Sequence, residues 1–187
     1  KTTVTRLING LIPHYFEGKL SGSVHVGGKD VARQALWDTA RQGGSVFQNP
    51  RSQFFNVDTT SEITFGCENL GMPREEILGR LAHTVSALKL EKLLDRSIFE
   101  LSGGEKQKIA CAGAFMMAPQ VFVLDEPSSN LDADAILDLR QVIAYLKSLG
   151  KTVVLSEHRL YCLQGVADRY IYMKDGRIRG GYTQGGV

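Results

Sequence analysis

Five short stretches of this chain carry residue types that could do chemistry. Lys1-Thr2 opens it, Gln48 follows Val46-Phe47, Leu101-Ser102-Gly103-Gly104-Glu105 precedes a helical pattern, Asp125-Glu126 ends an apolar run, and His158 ends another. An Asp at a buried strand end can hold a magnesium ion, directly or through water, and an adjacent carboxylate can polarise an attacking water. The same pair could equally cap the next helix. A Ser and two Gly at a helix start present backbone N–H groups without side-chain obstruction, which makes an anion site with Ser102 as an added donor. The string also fits an ordinary helix N-cap. Lys1-Thr2 matches only the last two positions of the phosphate-loop pattern G-x-x-x-x-G-K-[ST], so alone it is no more than a Lys at a helix start. Gln48 and His158 are unremarkable in isolation. Their order and spacing in one chain give them weight together.

The elements that must position these residues alternate in type. Lys1 to Leu11 reads as a helix, with Val4, Leu7, Ile8 and Leu11 on one stripe and Pro13 just beyond. Gly22 to Val26 reads as a short strand ending at Gly27-Gly28, and Val46 to Gln48 as a strand running into Asn49-Pro50. Residues 57–94 turn helical, with Pro73 in a first turn and Ile77, Leu81, Val85 and Leu88 on one stripe. Val121–Leu124 and Thr152–Leu155 are continuous apolar runs, which suit strands of a parallel sheet buried on both faces. Between them lies a helix with Ile136, Leu139, Ile143 and Leu146 on one face, Asp132 and Asp134 at its start and Gly150 at its close. A short helix from Arg159 and a hairpin through Lys174-Asp175-Gly176-Arg177 finish the pattern. This is an α/β arrangement, and in such sheets chemistry sits at the carboxyl ends of the strands. Asp125-Glu126 and Glu157-His158 occupy those ends.

Composition excludes several classes. The chain has 187 residues, 43% apolar and 22% charged, which is ordinary for a domain able to bury a core. A net charge of +2 gives no argument for nucleic acid or an anionic membrane surface. The longest apolar run, Ile109 to Ala118, falls well short of the roughly 18 residues of a membrane span. Cys67, Cys111 and Cys162 are far apart and odd in number, so they form neither a disulfide framework nor a zinc site and read as reduced, mostly buried thiols.

Taken together, the motifs resemble the nucleotide-binding subunit of ATP-binding-cassette (ABC) proteins over nearly the whole chain. Residues 101–105 look like the family signature, 121–126 like Walker B, Ser129-Asn130-Leu131-Asp132 like the D-loop, Gln48 like the Q-loop glutamine and His158 like the switch histidine. The resemblance implies a P-loop NTPase fold with a mainly parallel core sheet flanked by helices. It makes 1–187 a single partial domain, with about 53–118 as a helical signature subdomain inserted in the core. It also implies roles. Asp125 would help hold Mg²⁺ and Glu126 would act as general base or water orienter. His158 would contact the γ-phosphate, and Gln48 would link magnesium and water to a transport partner. Lys1 would reach the β- and γ-phosphates, Thr2 would ligate Mg²⁺, and Thr3 would adjoin the nucleotide. Ser102, Gly103, Gly104 and Asp132 would address ATP across a cassette dimer, so that ATP and Mg²⁺ are the expected cofactors and a second ATPase domain an expected partner.

Two stretches, Leu11 to Gly18 and Phe47 to Phe55, are similar to the ATPases of energy-coupling-factor transporters, and Glu157-His158-Arg159-Leu160-Tyr161 is at home there too. These importers take up vitamins or, in some groups, transition-metal ions. The implied placement is the cytoplasmic face of the membrane, bound to transmembrane subunits through the Q-loop region, where Arg51, Gln53 and Phe54-Phe55 are candidate contacts. The departure is at the front, where the family's first strands, its adenine-stacking aromatic residue and the glycines of its phosphate loop would precede Lys1. A soluble ABC ATPase acting on nucleic acid or ribosomes is the competing class. The interval from Gln48 to Ser102 is too short for the coiled-coil insertion of chromosome-maintenance relatives, and no basic, aromatic-interleaved arm is present, so no nucleic acid is expected. Glu126 and His158 argue against a third class, a non-catalytic cassette.

Overall fold

The computed structural model describes residues 1–129 and 131–183, with the backbone alone at Arg51 and Cys162. Asn130 of the D-loop motif, Gln184 to Val187 and the Arg51 side chain lie outside the described residues. In chain order the elements are α1 (Thr2–Ile8), α2 (Leu11–His14), β1 (His25–Val26), β2 (Lys29–Asp30), α3 (Leu36–Gln42) and β3 (Gly43–Val46). There follow α4 (Thr59–Asn69), α5 (Arg74–Leu88), α6 (Gly103–Met116), β4 (Val121–Asp125), α7 (Ala133–Ser148), β5 (Thr152–Ser156), β6 (Arg169–Lys174) and β7 (Arg177–Thr183).

The central sheet is parallel in the order β3-β4-β5, with Val46 beside Leu124, Leu124 beside Leu155 and Asp125 beside Ser156. All three strands therefore end on one edge, which brings the Gln48, Asp125-Glu126 and Glu157-His158 segments together. As expected for a strand covered on both faces, β4 is buried from Phe122 to Asp125. The other run, β5, is half-buried from Val153 to Ser156 with Thr152 exposed. At Gly44, a Cβ would stand 2.9 Å from Pro119 Cγ and 3.3 Å from Ala114 Cβ, so β3 can approach the end of α6 only without a side chain there.

Behind the sheet, α6 is buried on nearly every face, and Ile63, Cys67, Ile109, Met116, Phe122 and Leu146 are at most 2% exposed. From Ile109 to Met116 the helix carries only apolar and small residues, as a core helix does, and it packs against α4, α5 and β3. The α7 stripe is buried at all four predicted positions, and Asp132 caps that helix by accepting from the Ala135 N–H at 2.8 Å. Some expected boundaries move. The first helix stops at Ile8, because Gly10 adopts a left-handed φ of 79° and starts a separate turn. Only His25–Val26 of the 22–26 run pairs, and the strand before Gln48 ends at Val46, since the Phe47 N–H goes to Gln53 Oε1 at 3.1 Å instead of a ladder partner. Pro73 is the N-cap of α5 rather than part of its first turn. Among the described residues no helix is long and apolar enough to cross a membrane.

Candidate active site

At the carboxyl edge of the sheet, Glu126 is the meeting point. The Gln48 Nε2–H donates to its Oε2 at 2.8 Å, and His158 Nε2 lies 2.8 Å from its Oε1. Both oxygens of one carboxylate are thus held by residues from the two flanking strand ends. Lys1 joins from the N-cap of α1: its ammonium donates to the Glu157 carbonyl at 2.7 Å and lies 3.3 Å from His158 Nδ1. An ammonium can only donate, so Nδ1 is the acceptor and the imidazole proton sits on Nε2, facing Glu126. The Glu126 backbone has a φ of 47°, the left-handed region that a non-glycine residue occupies at a cost of order 1–3 kcal/mol. A bond from its N–H to the Ser156 carbonyl at 2.8 Å helps hold that conformation.

Asp125 lies beneath, 5% exposed. Thr5 Oγ1 lies 3.3 Å from its Oδ2, while Oδ1 is buried with no hydrogen-bond partner among the described residues. A buried, unpaired carboxylate oxygen is costly in protein alone and suits a cation or its water. Among the described residues no group of three or more His, Cys, Asp or Glu side chains could hold a metal. A cation here would rest on one carboxylate with neutral oxygens and substrate phosphates, which is the habit of Mg²⁺. Thr2 and Thr3 are the first residues of α1, the former half-buried and the latter exposed. The Thr2 carbonyl lies 2.8 Å from Thr5 Oγ1, so it and Asp125 Oδ2 share the one proton of that hydroxyl.

Ser102 and Gly104 form a second group at the start of α6. Ser102 Oγ accepts from the Glu105 N–H at 3.2 Å, and the Ser102 N–H donates to Glu105 Oε2 at 2.7 Å, which closes a capping box. Arg96 donates to Glu105 Oε1 at 3.1 Å. These bonds hold the Glu105 carboxyl below its ordinary range, the Ser102 N–H being the largest cause. The helix-cap reading of Ser102 is thus observed, and a capped helix start still leaves the N–H groups of Gly103 and Gly104 without intrahelical partners. The bonds of Ser102 run to Glu105 and not to the Glu126 cluster.

The ABC transporter family profile matches residues 1–129, more than half of the chain. The chain belongs to the ABC transporter ATP-binding family. Members of this family are ATPases that bind nucleotide. A protein of Treponema denticola provisionally named an ABC transporter ATP-binding protein is 52% identical over 178 residues, covering 95% of this chain and 36% of that protein. The energy-coupling factor transporter ATP-binding protein EcfA1 of Ligilactobacillus salivarius is 38% identical over 178 residues, covering 95% of this chain and 61% of its own length. Among solved structures, CbiO1 of Clostridium perfringens, part of the ABC transporter complex CbiONQ, superposes with a TM-score of 0.85 at 27% identity. That match covers 97% of this chain and 72% of CbiO1, and with the parallel sheet it makes the fold that of a P-loop NTPase. The chain spans about a third of the length of the Treponema relative and under two thirds of the Ligilactobacillus one.

Within this ABC fold the structure brings Lys1, Gln48, Asp125, Glu126 and His158 to one edge, and leaves Ser102, Gly103 and Gly104 at a separate helix start. Sequence reasoning missed two participants. Thr5 was hidden in an α1 stripe of apolar residues, yet it is 4% exposed and bonded to Asp125. Glu157 passed as a polar strand-end neighbour of His158, yet it is 9% exposed and bonded on both oxygens. A charged residue directly after an apolar strand was the available signal. The candidate contacts after Gln48 divide between inward and outward positions. Gln53 ties the loop back to β3, donating to the Ser45 carbonyl at 3.1 Å. Phe54 packs against the core, while Phe55 is 76% exposed and stacks on Phe65 at 4.9 Å.

Proposed function

We propose that the chain is the ATP-hydrolysing part of an importer subunit of the energy-coupling-factor type, driving uptake of a vitamin or metal ion. The observation that carries the catalytic half is the seating of Glu126 between Gln48 and His158, above the unpaired Asp125 oxygen. Glu126 is the general base or orienter of the attacking water, a role in which a carboxylate accepts the proton and needs its neighbours to fix its rotamer. His158, with Nε2–H toward Glu126, is placed to donate to a γ-phosphate oxygen entering at the same point. Gln48 orients Glu126 through its amide N–H, which leaves its carbonyl oxygen for a cation or water. Lys1 offers its ammonium to the β- and γ-phosphates, and Thr3 adjoins them from α1. Mg²⁺, when bound, neutralises charge on the phosphate oxygens; Asp125 and Thr2 would hold it, with Gln48 beside them. Ser102, Gly103, Gly104 and Asp132 serve the nucleotide of a second ATPase domain, identical, different or fused, so that two cassettes enclose two ATP molecules. Residues 1–187 are read as part of one such domain, with about 53–118, containing α4 to α6, as its helical subdomain.

The importer half rests on the similarity to EcfA1 and CbiO1 and on the exposed Phe55 in the segment that follows Gln48. An exposed Phe on a loop that also carries a site residue suits docking of a helix from a transmembrane subunit at the cytoplasmic face of the membrane. The full-length protein should co-purify from detergent with such a subunit, and a photocrosslinker at position 55 should land on its cytoplasmic helices. Purification alone, with ATPase activity gained on adding DNA or ribosomes, would overturn the importer reading in favour of a soluble ABC ATPase.

A further inference from the structure

The side chain of Glu157 is a buried carboxylate with backbone partners on two loops. Its Oε1 accepts from the Ser128 N–H at 2.9 Å, and its Oε2 accepts from the His158 N–H at 3.1 Å and the Arg159 N–H at 3.5 Å. Arg159 reaches back to the Ser128 carbonyl at 3.3 Å, so residues 157 and 159 hold both polar groups of the Ser128 peptide frame. Ser128 stands two positions after Glu126, inside the turn closed by the Ser129 N–H to Glu126 carbonyl bond at 3.1 Å. The carbonyl of residue 157 takes the Lys1 ammonium. One residue therefore ties the loop that carries Glu126 to the loop that carries His158, and both to the start of α1.

We infer that Glu157 is a positioning residue that locks the two loops into one unit and so fixes His158 against Glu126. This rests on the reading of Glu126 and His158 as the reacting pair. The chemistry favours a carboxylate for the task. Only an acceptor-only group with two oxygens can take N–H bonds from both loops at once, and charged acceptors bind N–H groups about twice as strongly as neutral ones. The amide of Gln at this position would present an oxygen to one loop and an NH₂ to the other, where an N–H already points, so one tie is lost and a donor faces a donor.

The test uses the full-length protein. Glu157→Gln should lower kcat for ATP at least tenfold while leaving the Kd for ADP, measured by calorimetry, within about twofold. In a His158→Ala background the same change should have no further effect on kcat, since Glu157 acts through His158. A tenfold loss that persists in that background would overturn the inference, because it would mean a general structural role. Should the variant not fold, amide hydrogen exchange on the wild-type protein decides the matter. The amides of Ser128 and His158 should exchange together at one protection, and protection of one without the other would contradict the clamp. Exchange does not depend on turnover, so this arm separates failure of the clamp from failure of the catalytic reading.

Discussion

Gly104, the second residue of α6, offers a test in which two physical effects predict opposite signs. A Cβ at this position would stand 2.7 Å from Ala135 Cβ on α7, about 1 Å inside the ~3.5–4.0 Å optimum of a carbon pair. Helix propensity alone makes Gly→Ala favourable by up to ~1 kcal/mol. Overpacking at a contact this short costs about 1–3 kcal/mol, because Ala135 lies on a helix whose backbone would have to move. Gly104→Ala should therefore destabilise, by about 1 kcal/mol net, which for a domain of this size lowers the melting temperature by roughly 2–4 °C. Ala135→Gly should restore the lost stability in that background, although alone it costs about 0.5–1 kcal/mol as a glycine in a helix. Gly79→Ala on α5 is the control. Nothing lies within 4 Å of its Cβ position, so it should stabilise by about 0.5–1 kcal/mol. Denaturant unfolding of the full-length protein and the four variants reads all of this out. A higher midpoint for Gly104→Ala, or an Ala135→Gly penalty that is the same with Gly or Ala at 104, would refute the packing argument.

Two further outcomes follow from buried or capping groups. Glu105 and Asp58 both cap helices through backbone N–H bonds that hold their carboxyls below the ordinary values of 4.5 and 3.8. Stability from a lowered carboxyl is fully present above the unfolded value and lost as pH falls through the folded one. Glu105→Gln and Asp58→Asn should therefore flatten the acid limb of a melting-temperature profile below about pH 4.5, and an unchanged acid limb in the double variant would count against these caps. Burial pushes the Cys111 thiol up to about 12. Its thiolate is then scarce at pH 8, and iodoacetamide should label Cys111 only as fast as the protein unfolds, with labelling at a free-thiol rate under native conditions as the contrary result.

Much of this arrangement was legible because local rules and global fold agree. The α7 stripe, its Asp132 cap and the 174–177 hairpin turn each follow from side chains within one element, and each forms where expected. The convergence at the sheet edge was legible too, since polar residues after apolar runs mark the carboxyl ends of parallel strands. What sequence could not supply was tertiary. Phe54 and Phe55 are identical in type, and only the loop path decides that one packs inward and the other faces out. Glu157 looked like any strand-end carboxylate until the Ser128 loop was seen against it. Ser102 could be read as an anion donor or a helix cap, and the capping box shows that its hydroxyl oxygen accepts from the Glu105 N–H.

The central claim is that Glu126, held by Gln48 and His158, activates the water that attacks ATP. Glu126→Gln in the full-length protein keeps the side-chain shape and removes the charge that accepts the proton. Steady-state ATP turnover should fall by about 10²–10⁴-fold, the usual contribution of a general base, while ATP affinity measured by calorimetry stays within a few-fold. Turnover that survives the substitution with unchanged affinity would contradict the account and remove Glu126 from the chemistry.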